Sequence, residues 1–487
     1  MFTRNNYYMI LSLALLLSFC SSETNQSKSM DKTVTNADAQ KEGDLKELNN
    51  QIRREKFDQV LPQAMKKNKI DMWIHVMRIA IPDAFGAEEL GSTSGVFVFT
   101  DRGGDRIERA VLGRRWGSTH RERGERDTSV EDSGAYDIIR NPIRVQEPVG
   151  NPMIEYDFRF KGLREFVEAR DPKLIAVNFK FNLGQWETYT DFGGAKDGLS
   201  HTDYLLLTAE LGNKYANRLV SSEYVMMDYI IGMVPSEIQL LKKIFRDRVE
   251  HAKKAFDAIV PGVTKNREVG ITLFSRRSTG ISQRGRSKGW ENSVIQGGDI
   301  VAAPSQGMYA YVLREGETEP PPEIKKLWSM YLKIDKILAE TIKAGRTPRE
   351  IIQIYKRKFE EEGIIVRDNQ LHMVQPKNNF PVYSIDFDPD KTHLSIDAHG
   401  MMKGARERPN ENLLGPRIGS LGPDWTKDIP IPSNHHFVLE YFFYMPSFTS
   451  NEDEDQYLLF WDHEQAIATE SGVEYLYPPQ KNLILIR

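Results

Sequence analysis

Phe437-Val438-Leu439-Glu440-Tyr441-Phe442-Phe443 places one carboxylate among six apolar or aromatic side chains. A run this short, rich in aromatic residues, reads as a buried strand. A carboxylate inside it needs a metal, an arginine or a proton, because an unpaired charge is costly away from water. The pattern recurs in Trp461-Asp462-His463-Glu464-Gln465-Ala466-Ile467, where Glu464 opens a second apolar strand. His399 closes a shorter one in Asp397-Ala398-His399-Gly400. One imidazole and two carboxylates on neighbouring strands suit a borderline or hard divalent cation. Each alone is ordinary, since a single strand Glu or His is commonly an edge residue or a satisfied hydrogen-bonding group. His463 alternates with Glu464 and is expected to face away from it. His435-His436 read as loop residues before the strand, and Asn451-Glu452-Asp453-Glu454-Asp455 lacks EF-hand spacing and reads as a solvated turn.

Upstream of these strands lie three amphipathic helices. Residues 236–262 carry Ile238, Leu241, Phe245, Ala252, Phe256 and Ile259 on one face, with Ser236 and Gln239 at capping-box spacing and Pro261-Gly262 as the stop. A second runs over 323–345, and Thr347-Pro348-Arg349-Glu350 starts a third that Gly363 ends. With the strands and the Ser471-Gly472 hairpin they make a C-terminal domain, 236–487. Before it, a helix over 47–65 leads to a strand at 70–76. A hairpin then turns at Asp101-Arg102-Gly103-Gly104-Asp105, and a helix at 163–169 precedes a strand at 174–179. This alternation predicts an N-terminal α/β domain over 45–235, and the fold class is α/β (α+β) overall.

The N-terminus has a different character. Arg4, the apolar run 9–19 and Cys20-Ser21-Ser22 have the layout of an export signal, 1–20, too short to span a bilayer as a helix. Leu17-Ser18-Phe19-Cys20 resembles a bacterial lipobox, although Phe19 stands where a small residue is usual. The resemblance implies lipid on Cys20 and a protein anchored to the cell envelope; the other reading is a plain signal with a chance cysteine. Residues 21–44 are almost free of large apolar side chains and read as a flexible tether. Cys20 is the only cysteine in 487 residues, which excludes a disulfide scaffold and a cysteine-ligated zinc or iron–sulfur site within one copy. With 65 basic and 69 acidic residues, net charge −4, nothing argues for a nucleic-acid partner. Walker A, HExxH, G-x-S-x-G and helix-opening G-x-G-x-x-G motifs are absent.

Taken in order, several segments resemble the pita-bread metallopeptidases, and within them the creatinase and aminopeptidase P branch. They are Arg54-Glu55-Lys56-Phe57 to Ile70-Asp71-Met72-Trp73, the helix at 236–262, Gly298-Asp299, Ala398-His399-Gly400, Val438-Leu439-Glu440, and Glu464-Gln465-Ala466 with Thr469-Glu470-Ser471-Gly472-Val473-Glu474-Tyr475-Leu476. The resemblance spans about residues 45–487 and implies a creatinase-like domain followed by a pita-bread domain. It also implies two divalent metals (Mn, Co or Zn) held by two Asp, one His and two Glu, a water activated against an Xaa-Pro or N-terminal peptide bond, and a homodimer by analogy. His399, Glu440 and Glu464 fall at the metal His and the two Glu.

The two Asp positions are not filled. The segment after Gly298-Asp299, residues 300–314, contains no Asp, and Pro304 or Ser305 stands where the first ligand belongs. The substrate-side His residues are also replaced, by the basic stretch Gln283-Arg284-Gly285-Arg286-Ser287-Lys288-Gly289-Trp290 and by Arg406-Glu407-Arg408-Pro409. Two outcomes follow. Either His399, Glu440 and Glu464 hold a single cation (Mn, Zn or Co), or no metal binds and Arg284, Arg286, Lys288, Arg406 and Arg408 neutralise the two Glu as ion pairs. The exchange of two anionic ligands for nearby cations favours the second: a pseudoenzyme that keeps a cleft for a peptide or protein ligand. The first remains an active aminopeptidase with a mononuclear site.

Overall fold

Strand β1 (Met72–Met77) is buried at every residue, as a central strand covered on both faces must be. The computed structural model describes residues 36–77, 89–92, 94–113, 129–140, 160–179, 198–268, 294–367, 388, 390–400, 415–419, 424–446 and 457–487. Cys20 with its signal, Arg284, Arg286, Lys288, Arg406, Arg408 and the acidic run 451–455 lie outside them. Residues Glu47–Arg487 form one compact unit; of the other unit, Met1–Lys46, the described part is the opening of helix α1 (Asn36–Gln59). That helix begins inside the segment expected as a tether, where Ala37, Ala39, Gln40, Lys41 and Glu42 are good helix formers.

β2 (Gly95–Asp101) and β3 (Ile107–Leu112) are the expected hairpin, closed by the pair Asp101 and Ile107. With β4 (Ile138–Ile139), β5 (Ile175–Val177) and β6 (Leu219–Ser221) they form a mixed sheet in the order β4-β3-β2-β1-β5-β6. Alternation sorts its side chains. Trp73, Phe97 and Phe99 pack on one face against Phe57 of α1, Leu61 and Met65 of α2 (Leu61–Lys67), and Tyr229 of α6 (Glu223–Ile231). Met72, Ile74, Val96 and Val98 pack on the other against Phe166 of α4 (Leu163–Glu168) and Leu207 and Leu211 of α5 (His201–Ala216); α3 (Ser129–Asp132) is a single turn. The helix read as continuous over 47–65 is α1 and α2, parted at Val60, because Pro62 suits a first turn and not an interior.

Helix α7 (Pro235–Asp257) starts at Pro235 with Val234 as its N-cap and no side-chain cap, so the expected Ser236–Gln239 box is not made. Ser236 instead donates its hydroxyl to Glu55 Oε1 at 2.5 Å, tying α7 to α1. Beside this contact Lys56 is wholly buried, with Nζ 3.8 Å from Glu89 and 3.9 Å from Glu237, and 4.6 Å from the centre of the Tyr229 ring.

The remaining strands carry the chemistry. β7 (Ile300–Ala303) and β8 (Met308–Val312) form a hairpin, extended by β15 (Ile484–Ile486) into a three-stranded sheet. Helix α8 (Pro322–Thr341) follows, then α9 (Pro348–Glu361), which starts where Thr347-Pro348-Arg349-Glu350 implied and which Thr347 and Glu350 open with a reciprocal capping box. β9 (Ile364–Val366) runs parallel to β10 (Thr392–Gly400), and β11 (Ile418–Gly419), β10, β12 (His436–Pro446), β13 (Tyr457–Ala468) and β14 (Val473–Tyr475) lie side by side, antiparallel. Leu394, Ile396, Leu439, Tyr441, Phe443 and Phe460 share a core with Leu327, Tyr331, Ile334 and Leu338 of α8 and Ile351, Tyr355 and Phe359 of α9. Among the described residues no helix is long and apolar enough to cross a membrane.

Candidate functional site

Strand register decides which side chains meet. Asp397 pairs with Glu440 across β10 and β12, and Glu440 pairs with His463 across β12 and β13. Directly paired residues project to the same side of an antiparallel sheet, and residues two apart on a strand do so as well. Asp397, His399, Glu440 and His463 therefore stand on the face away from α8 and α9. Glu464 pairs with Leu439, a residue of the helix-covered core, and stands on the opposite face with Asp462. The structure thus brings two of the three expected residues together, His399 and Glu440. His463 completes the group in place of Glu464, and it does face away from Glu464 as alternation requires.

In this group His399 Nε2 is 3.3 Å from Glu440 Oε2, and each of the three residues offers a ligand atom within 4.8 Å of the others. His399 Nδ1 is 2.7 Å from the Gly400 carbonyl oxygen. A carbonyl only accepts, so Nδ1 carries the hydrogen and a neutral His399 turns the Nε2 lone pair toward the Glu440 carboxylate. Two acceptors at that distance need a proton or a cation between them. Burial pushes His463 down to about 4, against the opposing pull of the Glu440 charge, so its imidazole is neutral at pH 7 and has a lone pair to give. Beside the group, Arg417 holds Asp397 in a two-pronged ion pair, Nε to Oδ1 at 2.8 Å and Nη2 to Oδ2 at 2.5 Å. Gly419 is required there: its φ is +156°, and a Cβ would come within 2.8 Å of Asp397 Oδ1. Phe442 and Trp461, half-buried on the same face, stack with ring centres 5.5 Å apart, and Trp461 meets His463 edge-on at 5.8 Å.

The donor set fits one cation and not two. Two imidazoles and one carboxylate are a known three-ligand set for a single zinc with its fourth position open. The resemblance implies that the further carboxylates of a dinuclear centre would come from the β7–β8 hairpin, whose tip is a single turn of Pro304–Gln306 ending at Gly307. Gly307 sits at φ +61°, and a Cβ there would lie 2.7 Å from Glu464 Cδ, so the hairpin tip is packed on Glu464.

On the helix side of β13 a second group forms. Asp335 of α8, Asp462 and Glu464 also place ligand atoms within 4.8 Å of one another, and all three residues are buried. Burial raises Asp335 to about 6 and Asp462 to about 8, and raises Glu464 well above the carboxylate range. Tyr309 donates to Asp462 Oδ1 at 2.6 Å, and Tyr475 donates to Asp335. The sequence signal for Asp335 lies in its position four residues after Tyr331 on the apolar face of α8, where a carboxylate is out of pattern. Arg417 gave only a weak signal, an Arg within Gly415-Pro416-Arg417-Ile418-Gly419. His435 and His436, expected in a loop, are buried at 3% and 2% exposure, where β12 begins.

No family model and no curated protein sequence matches the chain. Solved structures do. The X-Pro aminopeptidase of Thermotoga maritima MSB8 superposes with a TM-score of 0.50 over 87% of this chain and all of its own, at 14% identity. The Xaa-Pro dipeptidase of Bacillus anthracis gives 0.49 over 90% of this chain and all of its own, also at 14% identity. At such identity the likeness is one of fold: the chain is built on the pita-bread architecture of the aminopeptidase P and creatinase type, as its ordered segments implied.

Proposed function

We propose that this protein is an envelope-anchored pita-bread protein that has lost two-metal peptidase chemistry and uses the inherited face to bind peptides. One observation carries the reading: the site offers one carboxylate and two imidazoles, and the hairpin that would supply two aspartates has Pro304 and Ser305 there. A bridging hydroxide needs a cation on each side, and this donor set serves one. The stacked Phe442 and Trp461 support peptide binding, because they give a flat apolar ledge beside Glu440 and His463, suited to a prolyl or aromatic side chain. The lipobox-like Leu17-Ser18-Phe19-Cys20 supports export and anchoring by lipid on Cys20. Titration of Trp fluorescence with a short Xaa-Pro peptide tests the binding: saturable quenching without cleavage is expected, and Trp461→Ala should weaken it. Release of the protein from the membrane fraction by Cys20→Ala tests the anchor.

The fixed tautomer of His399 favours a second reading, a single cation held by His399 Nε2, Glu440 and His463. The cation would polarise a water or a peptide carbonyl. The Gly400 carbonyl would keep the His399 ring aimed, and Arg417 would keep Asp397 neutralised and out of the ligand set. This is the mononuclear alternative drawn from sequence, with His463 in the place of Glu464. Binding of one zinc per chain, with release of amino acid from peptides, distinguishes it from the first reading.

A further inference from the structure

The group on the other face of β13 has a different chemistry. Asp335, Asp462 and Glu464 are 9%, 0% and 2% exposed, and among the described residues none of them forms an ion pair with a Lys, Arg or His. Three carboxylates in mutual reach and out of water need positive charge or protons between them. The side chains turned to them offer oxygen and no nitrogen, the His463 backbone N–H being the nitrogen donor at Asp462. Tyr309 and Tyr475 donate to Asp462 and Asp335, and one oxygen of Asp462 and one of Glu464 have no hydrogen-bond partner. Two more hydroxyls are turned to the group, Tyr441 to Asp462 and Tyr331 to Glu464. Both are buried, and neither completes a hydrogen bond of normal geometry. Buried polar groups left this way around three acids call for a proton, a water or an ion between them.

We propose that Asp335, Asp462 and Glu464 form a second cation site, sealed between helix α8 and strand β13, that takes a hard divalent ion, calcium ahead of manganese. Three carboxylates with oxygens in mutual reach, and two tyrosine hydroxyls beside them, suit the all-oxygen ligand set of calcium, whereas magnesium keeps waters that a closed core does not provide. The absence of nitrogen and sulfur separates this site from the His399–Glu440–His463 group, which suits zinc. The ion would join α8 to β13 and, through the Gly307 contact on Glu464, steady the β7–β8 hairpin.

Metal analysis and thermal melting of the full chain, before and after exhaustive dialysis against a chelator, test this with calcium, manganese and zinc as probes. One calcium or manganese per chain is expected, with a melting temperature that falls on chelation and recovers on adding calcium. Terbium in its place should show emission sensitised by the neighbouring tyrosines. Glu464→Gln and the volume-conserving Asp335→Asn should each abolish that binding, while Glu440→Gln and His463→Ala leave it intact. A chain that holds neither ion and melts identically with and without chelator overturns the proposal, as does calcium binding that survives both Glu464→Gln and Asp335→Asn.

Discussion

Glu440 and His463 face each other across the β12–β13 ladder, one pair in an antiparallel register that sends Glu464, the next residue, to the opposite side of the sheet. Two groups of possible ligands are thereby kept apart by one thickness of backbone. His399→Ala, Glu440→Ala and His463→Ala are each expected to weaken zinc binding by more than the roughly 10–100-fold that loss of an outer partner costs. Glu464→Gln should leave zinc affinity unchanged. A competition titration with a chromophoric chelator reads both, and loss of zinc in Glu464→Gln with retention in His463→Ala would reverse the assignment.

His435 gives the chain an acid-sensitive point. Burial beside Phe437 and Ile231 holds its imidazole down to about 4, against about 6.5 when unfolded. The unfolded chain binds the proton first as pH falls, so the stability held by neutral His435 is complete above about 6.5 and is lost progressively down to about 4. The full effect is on the order of 3 kcal/mol. Urea unfolding of His435→Leu between pH 7 and 4 should show a slope shallower by about one proton, while His393 and His463, also held low by burial, keep part of the dependence.

Lys56 is the cation between Glu89 and Glu237, and all three side chains are closed to solvent. Removing it in Lys56→Ala takes a cation from two fully buried acids, and a loss of about 3–5 kcal/mol is expected. The double change Lys56→Met with Glu237→Gln should recover part of it. Equal stability of Lys56→Ala and the parent in urea would contradict the placement.

Gly307→Ala combines a left-handed backbone with a Cβ 2.7 Å from Glu464 Cδ. A destabilisation of about 1–3 kcal/mol is expected from the backbone alone, accompanied by weaker calcium binding through Glu464. Thermal melts with and without calcium separate the two effects.

Much of the fold was open to reading from pattern alone. The apolar strands at β1, β2, β12 and β13, the Thr347–Glu350 cap and the helix faces of α7, α8 and α9 follow from periodicity and capping chemistry that act locally. The site was harder for a physical reason. A strand has period two, so a one-residue offset along β13 exchanges Glu464 for His463 and moves the ligand through the sheet. Phe460, Ala466 and Ala468 share the helix-side core, and extending that even-numbered face would have placed Glu464 inward. Asp335 and Arg417 come from elements distant in sequence, and only tertiary packing brings them to Glu464 and Asp397.

Hydrolysis of Xaa-Pro peptides by the full chain, with manganese, cobalt or zinc supplied, tests the central claim most directly. The account predicts release of amino acid no faster than from Glu440→Ala, with no more than one zinc bound on the His399 face. Turnover that requires two metals on the His399 face and disappears in Glu440→Ala would contradict it.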